Sequence, residues 1–342
     1  MSETPFEKEL AEMPDALERL VRAHLSDPGP VARWLERLGS VRRVLALGMG
    51  TSSFSLHGVG RGLSRRGIAF HQAEAGEWFH NGDILAPGEL PILCSQSGAS
   101  AEIVRLLDRG LPISPVAVTN DAASPLANGG DPVFLLHAGP ERAISAKTYA
   151  NTLATARILE AATAGVPLAA CSERLLRVAE SLQETGSGAV QHAANLLQHV
   201  PTLAVVGRTD AVPAVLQFAL TCAEGVGRVA TPFLGGSFRH GPMEACGPDL
   251  GVIAFTQADR CGDLVLRAAD EAVRLGCRVV VFTDRSDVPD ALTPVPVPRG
   301  DDPADFSLRC SRMQAQFIHA LAALRGREAG IFRVNSKVTQ VE

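Results

Sequence analysis

A serine-rich stretch at residues 95–100 (Ser-Gln-Ser-Gly-Ala-Ser) joins an apolar run, 90–94, to a helical pattern, 101–107. Hydroxyl groups and a glycine at the start of a helix can hold a phosphate. The first helical turn offers unpaired backbone N–H groups and a partial positive charge, and small side chains allow close approach. Serine is also among the best N-caps, so an ordinary capped helix is the simpler interpretation. The stretch is a candidate phosphate site that needs support from elsewhere in the chain.

A second turn of this kind, residues 48–53 (Gly-Met-Gly-Thr-Ser-Ser), follows an apolar run at 41–47. Its glycines permit a tight strand-to-helix turn, after which Thr51 and Ser52 can cap the helix or bind an anion. It is not the dinucleotide-binding fingerprint, because Ser53 occupies the position of the third glycine. A nicotinamide-dependent dehydrogenase is therefore disfavoured.

Three further residues carry chemistry that local spacing alone does not single out. His240 lies in a glycine-rich loop, 235–244, where a rigid scaffold often presents functional side chains, although a surface histidine is as natural an interpretation. Glu224 ends a predicted helix, 214–224, where an exposed carboxylate is common. Lys337 lies in the polar end of the chain, where a lysine is normally solvated.

The elements that position these residues repeat along the chain. Strand patterns alternate with helical ones, which favours parallel sheets with helices on both faces. Segments 202–209, 252–257 and 279–284 resemble 44–51, 92–96 and 116–120 at an offset of about 160 residues. The sequence thus predicts an α/β fold of two tandem doubly wound parallel-sheet subdomains, flavodoxin-like or Rossmann-like, with ligands at the carboxyl ends of the strands. The second copy lacks the serine signature, so a phosphate site is expected in the first.

We expect five segments along the chain. They are an N-terminal helical segment (1–40), a first domain (41–165), a helical linker (166–200), a second domain (201–328) and a C-terminal tail (329–342).

Composition excludes several function classes. A net charge of −5 without a basic stripe argues against nucleic acid as a partner. No apolar run approaches the roughly 20 residues of a membrane span, and the first residues lack a signal-peptide core. The seven cysteines form no CxxC pair, which indicates reduced, mostly buried thiols, with Cys246 and Cys261 the less buried ones, and no zinc or other metal site. These features predict a cytoplasmic protein.

The motifs taken together resemble the sugar-isomerase (SIS) family. Within that family, the chain resembles the isomerase half of glutamine–fructose-6-phosphate amidotransferase and its stand-alone relatives, the amino-sugar-phosphate deaminases and fructosamine-phosphate deglycases. The resemblance extends over residues 41–342. The motifs that carry it are Gly50-Thr51-Ser52, Ser95-Gln96-Ser97-Gly98, Thr119-Asn120, Gly139-Pro140-Glu141, Arg239-His240-Gly241-Pro242 and Lys337.

The resemblance implies a role for each matching residue. Glu224 moves a proton between C1 and C2 of the sugar, His240 opens the sugar ring from the neighbouring subunit, and Lys337 lies near the substrate carbonyl, where a Schiff base can form. It also implies a homodimer with shared active sites, a sugar phosphate as the substrate, and no cofactor. On the same resemblance, the first domain (41–165) binds the phosphosugar and the C-terminal tail (329–342) reaches the active site. The matching phosphate-binding positions are Thr51, Ser52, Ser95, Gln96, Ser97 and Ser100, and the matching pocket positions are Gly50, Glu141 and Ile144.

Departures from the amidotransferase pattern shape the expected reaction. Ser2 stands where the amidotransferase has a catalytic cysteine, and Thr221 replaces a lysine one turn before Glu224, so glutamine-dependent transfer is not expected. The leading prediction is a deaminase that converts glucosamine 6-phosphate into fructose 6-phosphate and ammonia. The alternatives are a fructosamine-6-phosphate deglycase, a simple aldose–ketose phosphosugar isomerase, and a non-catalytic sugar-phosphate sensor.

Overall fold

The chain has an α/β fold with two five-stranded parallel sheets, as the sequence predicts. The computed structural model describes residues 3–334, 336 and 337; the rest of the predicted tail, residue 335 and residues 338–342, lies outside the described residues. One compact unit, here the first unit, comprises residues 12–141, 147–179, 334, 336 and 337. The second unit comprises residues 3–11, 142–146 and 180–333.

The helices of the chain carry the apolar faces that cover the sheets. Their bounds are α1 Pro5–Ala11, α2 Met13–Ser26, α3 Gly29–Arg37, α4 Thr51–Phe54, α5 Val59–Arg65, α6 Ala75–His80, α7 Ala101–Arg109, α8 Pro125–Gly129, α9 Lys147–Thr163, α10 Leu168–Ser181, α11 Ser187–Leu197, α12 Val212–Thr221, α13 Arg260–Arg274 and α14 Phe306–Leu324.

The first unit is built on the sheet order β2-β1-β3-β4-β5, with all neighbours parallel. Strands β1 and β3 are neighbours although β2 separates them in the chain, because β2 lies on the far side of β1. The order of the strands therefore reverses between β1 and β3, which is where doubly wound sheets open a crevice for ligands. The strands are β1 Arg43–Gly48, β2 Ala69–Glu74, β3 Glu89–Cys94, β4 Val116–Thr119 and β5 Val133–Leu135.

Helix α9 is the internal helix of the first unit, and every one of its residues is buried. Three of its four threonines satisfy their hydroxyl groups within the helix: Thr152 Oγ1 donates to Thr148 O at 2.7 Å, Thr155 Oγ1 to Asn151 O at 2.9 Å and Thr163 Oγ1 to Leu159 O at 2.7 Å. A helix that is buried all round must pair its polar groups in this way. The start of α9 is consequently a fixed point against which the preceding loop is held.

The second unit has the same strand order, β10-β9-β8-β6-β7, which is the repeat that the sequence predicts. The sequence repeat predicts three of its strands but not β7 and β10. The two prolines of β10 obscure the strand pattern, and both fit an edge position, where fewer N–H groups are paired. Stacked rings fill its interior, with the Phe255 and Phe282 centroids 4.8 Å apart. The strands are β6 Thr202–Gly207, β7 Ala230–Leu234, β8 Leu250–Thr256, β9 Arg278–Thr283 and β10 Thr293–Pro296.

The seven cysteines are free thiols, and five of them are buried. Cys246 and Cys261 are half-buried, which confirms the prediction that these two are the more accessible. Of the helices in the described part of the chain, none combines the length and the apolar character that a membrane crossing requires.

Candidate active site

The two hydroxyl-rich turns leave neighbouring strands at the point where the first sheet reverses its order. Gly48 ends β1, Cys94 ends β3, and the two residues are in register. A side chain at position 48 would come within 3.0 Å of Cys94 O, so glycine lets the two strand ends approach closely. The structure thus brings the predicted phosphate-binding residues to one edge of the sheet. They are Thr51 and Ser52 in the first turn, and Ser95, Gln96, Ser97 and Ser100 in the second.

Backbone geometry fixes the first turn. Gly50 has φ +47° and ψ −122°, a combination that favours glycine, and Phe54 N donates to Gly50 O at 3.0 Å as α4 begins. The Ser52 side chain hydrogen-bonds to the thiol of Cys94, which ties the first turn to β3. Burial raises the pKa of Cys94 to about 12, so this cysteine is a neutral packing residue at physiological pH.

The second turn is closed by its own hydroxyl groups. The oxygens of Ser95 and Ser100 lie 3.2 Å apart, and Gly98 N donates to Ser95 O at 3.1 Å. Ser95 is buried, and its N–H donates to Val118 O of β4. Ser97 Oγ accepts from Ala99 N at 3.2 Å, within the turn. The side chains therefore stabilise the turn itself.

Helix α7 begins directly after this turn with its first N–H groups facing the site. Ser100 is the N-cap residue, yet among the described residues its hydroxyl makes no hydrogen bond to the helix. The Ser100 side chain binds Ser95 instead, so the stretch is not an ordinary serine cap. The N–H groups of the first turn of α7 and the hydroxyls around them form a surface suited to a phosphate.

Asn120, which follows β4, braces the loop that leads to Glu141. Its side chain donates from Nδ2 to Gly139 O and accepts from Ala138 N at Oδ1, both at 2.9 Å. This two-way contact holds the end of β5 beside the end of β4. Pro140 and Glu141 therefore lie at the edge of the first sheet where its strands end, as the two hydroxyl-rich turns do.

Glu141 and Lys337 are in direct contact. Lys337 Nζ donates to Glu141 Oε2 at 3.0 Å, and the Glu141 side chain is fully buried whereas that of Lys337 is 19% exposed. Glu141 also accepts from Thr148 N at 3.1 Å and from Thr148 Oγ1 at 2.5 Å. The structure thus joins two predicted site residues that are separated by most of the chain.

Glu224 lies in a π-helical turn, Cys222–Val226, instead of the regular helix end that the sequence predicts. Helix α12 stops at Thr221, and Gly227 with φ +68° ends the turn. Single π-turns are frequent at functional sites because they re-aim side chains. A side chain at Gly225 would lie 3.0 Å from Ile144 Cδ1, so the predicted pocket residue Ile144 packs beside this turn.

His240 is exposed in the loop that follows β7. Its ring lies beside Gly236, where an added Cβ would come within 3.8 Å of His240 Nε2 and 3.1 Å of the Arg208 guanidinium. Gly235 N donates to Gly207 O at 3.0 Å, which fixes this loop at the carboxyl end of β6.

Glu224 and His240 lie at opposite ends of the second sheet. Arg228, just past the π-turn, donates to Leu197 O at 3.0 Å and also to Val200 O, both of which precede the start of β6. The His240 loop is fixed at the far end of β6, a strand of six residues. At about 3.3 Å per residue the two ends are roughly 17 Å apart. The second unit of one chain does not bring these two residues together.

Sequence reasoning missed the residues that hold the Glu141 loop. Lys147 is fully buried, and its Nζ donates to Glu12 Oε2 at 2.5 Å and to Pro140 O at 2.8 Å. Thr148 binds the Glu141 carboxylate. No spacing rule could have paired Glu12 with Lys147, since 135 positions separate them.

Comparison with known proteins supports the resemblance that the motifs predict. No protein-family model matches the chain. The chain is 28% identical over 284 residues to the glutamine–fructose-6-phosphate aminotransferase (isomerizing) of Methanothermobacter thermautotrophicus. The aligned region covers 82% of this chain and 47% of that protein. The chain therefore spans about half the length of the curated relatives it matches.

Solved structures share the fold. The C-terminal domain of glucosamine-fructose-6-phosphate aminotransferase from Francisella tularensis superposes with a TM-score of 0.84 at 17% identity, covering 96% of this chain and 99% of that domain. Glucosamine-6-phosphate deaminase from Thermotoga maritima superposes with a TM-score of 0.76 at 20% identity, covering 99% of this chain and 100% of that protein. The chain is a homologue of the glutamine–fructose-6-phosphate aminotransferases over part of their length, and it has the fold of the sugar-isomerase (SIS) proteins.

Proposed function

We propose that this chain is a phosphosugar isomerase of the SIS type that deaminates a 2-amino-sugar 6-phosphate. Glucosamine 6-phosphate and water would give fructose 6-phosphate and ammonia. The observation that carries the proposal is the meeting of two hydroxyl-rich turns, 49–52 and 95–100, at the reversal point of the first sheet. The homology to aminotransferases that are named for fructose 6-phosphate points to the same class of substrate.

The phosphate group anchors the substrate in this proposal. The N–H groups at the start of α7 and the hydroxyls of Thr51, Ser52, Ser95, Ser97 and Ser100, with the Gln96 amide, supply donors around a dianion. Gly50 lets the backbone approach closely. Binding energy from this remote group holds the reacting carbons in place and lowers the barrier at C1 and C2.

Glu224 is the proposed base and acid. The open-chain aldehyde loses its C2 proton to the carboxylate, which returns a proton to C1 while a proton passes from the nitrogen to O1. The product of this step is the 2-imine of the ketose. Net hydrolysis at C2 then consumes one water and releases ammonia and the ketose, so that the atoms balance. A positioned carboxylate contributes about 10²–10⁴-fold to such a transfer.

His240 is proposed to open the sugar ring in the active site of a second copy of the chain. An imidazole suits this step because it donates and accepts protons near neutral pH. Its position about 17 Å from the end of the sheet that carries Glu224 favours an arrangement in which a homodimer completes each site. Lys337 is proposed to act at C2, the carbonyl carbon of the ketose. Its amine displaces ammonia from the 2-imine to form a Schiff base, which water hydrolyses to fructose 6-phosphate and the free lysine. Glu141 and Ile144 lie in the proposed pocket wall.

The test is to incubate the purified protein with glucosamine 6-phosphate and to follow ammonia and fructose 6-phosphate in one tube. We expect both products in equal amounts, and neither from unphosphorylated glucosamine. Release of a free amine from a fructosamine 6-phosphate, without reaction of glucosamine 6-phosphate, would favour the deglycase. Isomerisation without ammonia would favour a simple isomerase, and binding without turnover would favour a sensor.

A further inference from the structure

The first two residues of α9 bind back onto the loop that precedes the helix. Lys147 Nζ donates to Pro140 O at 2.8 Å, and Thr148 donates twice to Glu141, from N at 3.1 Å and from Oγ1 at 2.5 Å. The side chains of Lys147 and Glu141 are fully buried. Adjacent helix residues thus fix the backbone of Pro140 and the carboxylate of Glu141.

The two bonds from Thr148 reach different oxygens of Glu141. The backbone N–H binds Oε1, which is the contact expected of a carboxylate at a helix N-terminus. The hydroxyl binds Oε2, the oxygen that also accepts from Lys337 Nζ at 3.0 Å. The hydroxyl therefore sets the direction of the oxygen that holds the lysine.

We propose that Thr148 is a positioning residue that orients Glu141 and, through it, the amine of Lys337. This inference rests on the proposed role of Lys337 at the substrate carbonyl. A carboxylate held only through Oε1 rotates about its last side-chain torsion, which is broad for glutamate. The short bond from the Thr148 hydroxyl restricts that rotation. The lysine amine then meets the carbonyl in one orientation, and loss of orientation lowers the rate of addition more than the affinity.

The buried Lys147 supports the same arrangement from the backbone side. Its ammonium is held between Pro140 O and the carboxylate of Glu12, so the charge of this fully buried lysine side chain is paired. Pro140 directly precedes Glu141, and its fixed carbonyl limits movement of the main chain that carries the carboxylate. The backbone and the side chain of Glu141 are consequently both restrained.

The inference is tested with Thr148→Val, which removes the hydroxyl at nearly constant volume, and with Thr148→Ser, which retains it. Thr152→Val is the matched control, because Thr152 lies on the same buried helix and its hydroxyl binds Thr148 O instead of Glu141. We expect Thr148→Val to lower kcat about tenfold with KM within about twofold, Thr148→Ser to restore kcat to within about threefold, and Thr152→Val to match the wild type.

A second readout reports on Lys337 itself. In fructose 6-phosphate the carbonyl accepts the Lys337 amine, water leaves, and sodium borohydride reduces the resulting imine to a stable secondary amine that mass spectrometry detects on the peptide containing Lys337. Thr148→Val should slow this trapping about tenfold, whereas Thr152→Val should not. Should Thr148→Val fail to fold, Thr148→Ala makes the same comparison.

The outcomes separate the inference from the proposed function. Equal kcat and equal trapping in Thr148→Val and Thr152→Val would overturn the positioning role. Full turnover in Lys337→Met would instead contradict the role of Lys337 on which the inference rests. If the wild type turns over without a trapped adduct, the Schiff base is wrong, and kcat of the two threonine variants decides the positioning role alone.

Discussion

The hydroxyl of Ser100 lies 3.2 Å from that of Ser95, although Ser100 is the N-cap residue of α7. A capping serine normally binds the N–H groups of its own helix. Here the bond to Ser95 closes the turn, and the helix N-terminus is available to a ligand. This relationship distinguishes the proposed phosphate-binding turn from an ordinary helix start, and it underlies the first prediction.

Removal of hydroxyls from the turn should weaken phosphate binding. We expect Ser95→Ala combined with Ser97→Ala to raise KM for glucosamine 6-phosphate by about 10²–10⁴-fold, since each of the two lost hydrogen bonds to a charged group contributes about 1.5–3 kcal/mol. Ser64→Ala, at an exposed position on α5, serves as the control. Steady-state kinetics measures the effect. An unchanged KM would move the phosphate site away from this turn.

The turn also depends on a glycine that no other residue can replace. Gly98 has φ +61°, and an added Cβ would lie 2.1 Å from Ser124 Oγ. Gly98→Ala should lower the free energy of unfolding by about 2–4 kcal/mol, through backbone strain and the steric clash together. Gly82→Ala is the control for backbone strain alone, because Gly82 has φ +74° and no atom of the described residues lies within 4 Å of the position of an added Cβ. This control variant should lose about 1 kcal/mol of the free energy of unfolding.

Urea unfolding of the two glycine variants measures the loss from backbone strain and the additional loss from the steric clash. A loss in Gly98→Ala no greater than that in Gly82→Ala would mean that the turn yields to the added methyl group, and that the contact with Ser124 does not define its shape.

Much of this turn could be predicted from the sequence, because its determinants are local. An apolar run, a glycine and hydroxyls before a helix lie within about ten residues, and the motif predicts the turn without knowledge of the fold. The strand repeat was predictable for the same reason. The bonds from Thr148 to Glu141 and from Lys147 to Glu12 were not, since they depend on where the folded chain places α9. The π-turn at Glu224 escaped prediction because a periodic helix pattern continues through it.

His24 should make stability depend on pH. It is buried against Phe134 and His137, and burial, with a smaller effect from His137, lowers the pKa of His24 to about 4. In the unfolded chain His24 binds a proton below about pH 6.5, whereas in the folded chain it does so only near pH 4. The contribution of neutral His24 to the free energy of unfolding is therefore complete above about pH 6.5 and is lost as the pH falls towards 4. At pH 5 the loss should be about 2 kcal/mol relative to pH 7.

His24→Leu should remove this part of the pH dependence, and His71→Leu, at an exposed position on β2, should retain it. Urea unfolding at pH 7 and pH 5 measures the difference between the variants. An equal loss of stability in His24→Leu and the wild type would show that other groups produce the whole effect.

The positions of Glu224 and His240 at opposite ends of the second sheet predict complementation between inactive variants. Glu224→Gln and His240→Ala should each be inactive alone. When the two are co-expressed, a mixed dimer contains one site with both residues intact, and random assembly should recover about a quarter of wild-type activity. Ammonia release from the purified mixture measures the recovery. Absence of recovered activity, with mixed dimers present, would contradict a site shared between two copies.

The most direct test of the proposed deaminase compares the wild type with Glu224→Gln in one assay of ammonia and fructose 6-phosphate formed from glucosamine 6-phosphate. We predict equal amounts of the two products from the wild type and a rate about 10²–10⁴-fold lower in Glu224→Gln. Fructose 6-phosphate should still raise the melting temperature of that variant, because the two turns proposed to bind the phosphate are unchanged. Ammonia release by Glu224→Gln at the wild-type rate, or none from a wild type that binds the sugar phosphate, would contradict the proposal.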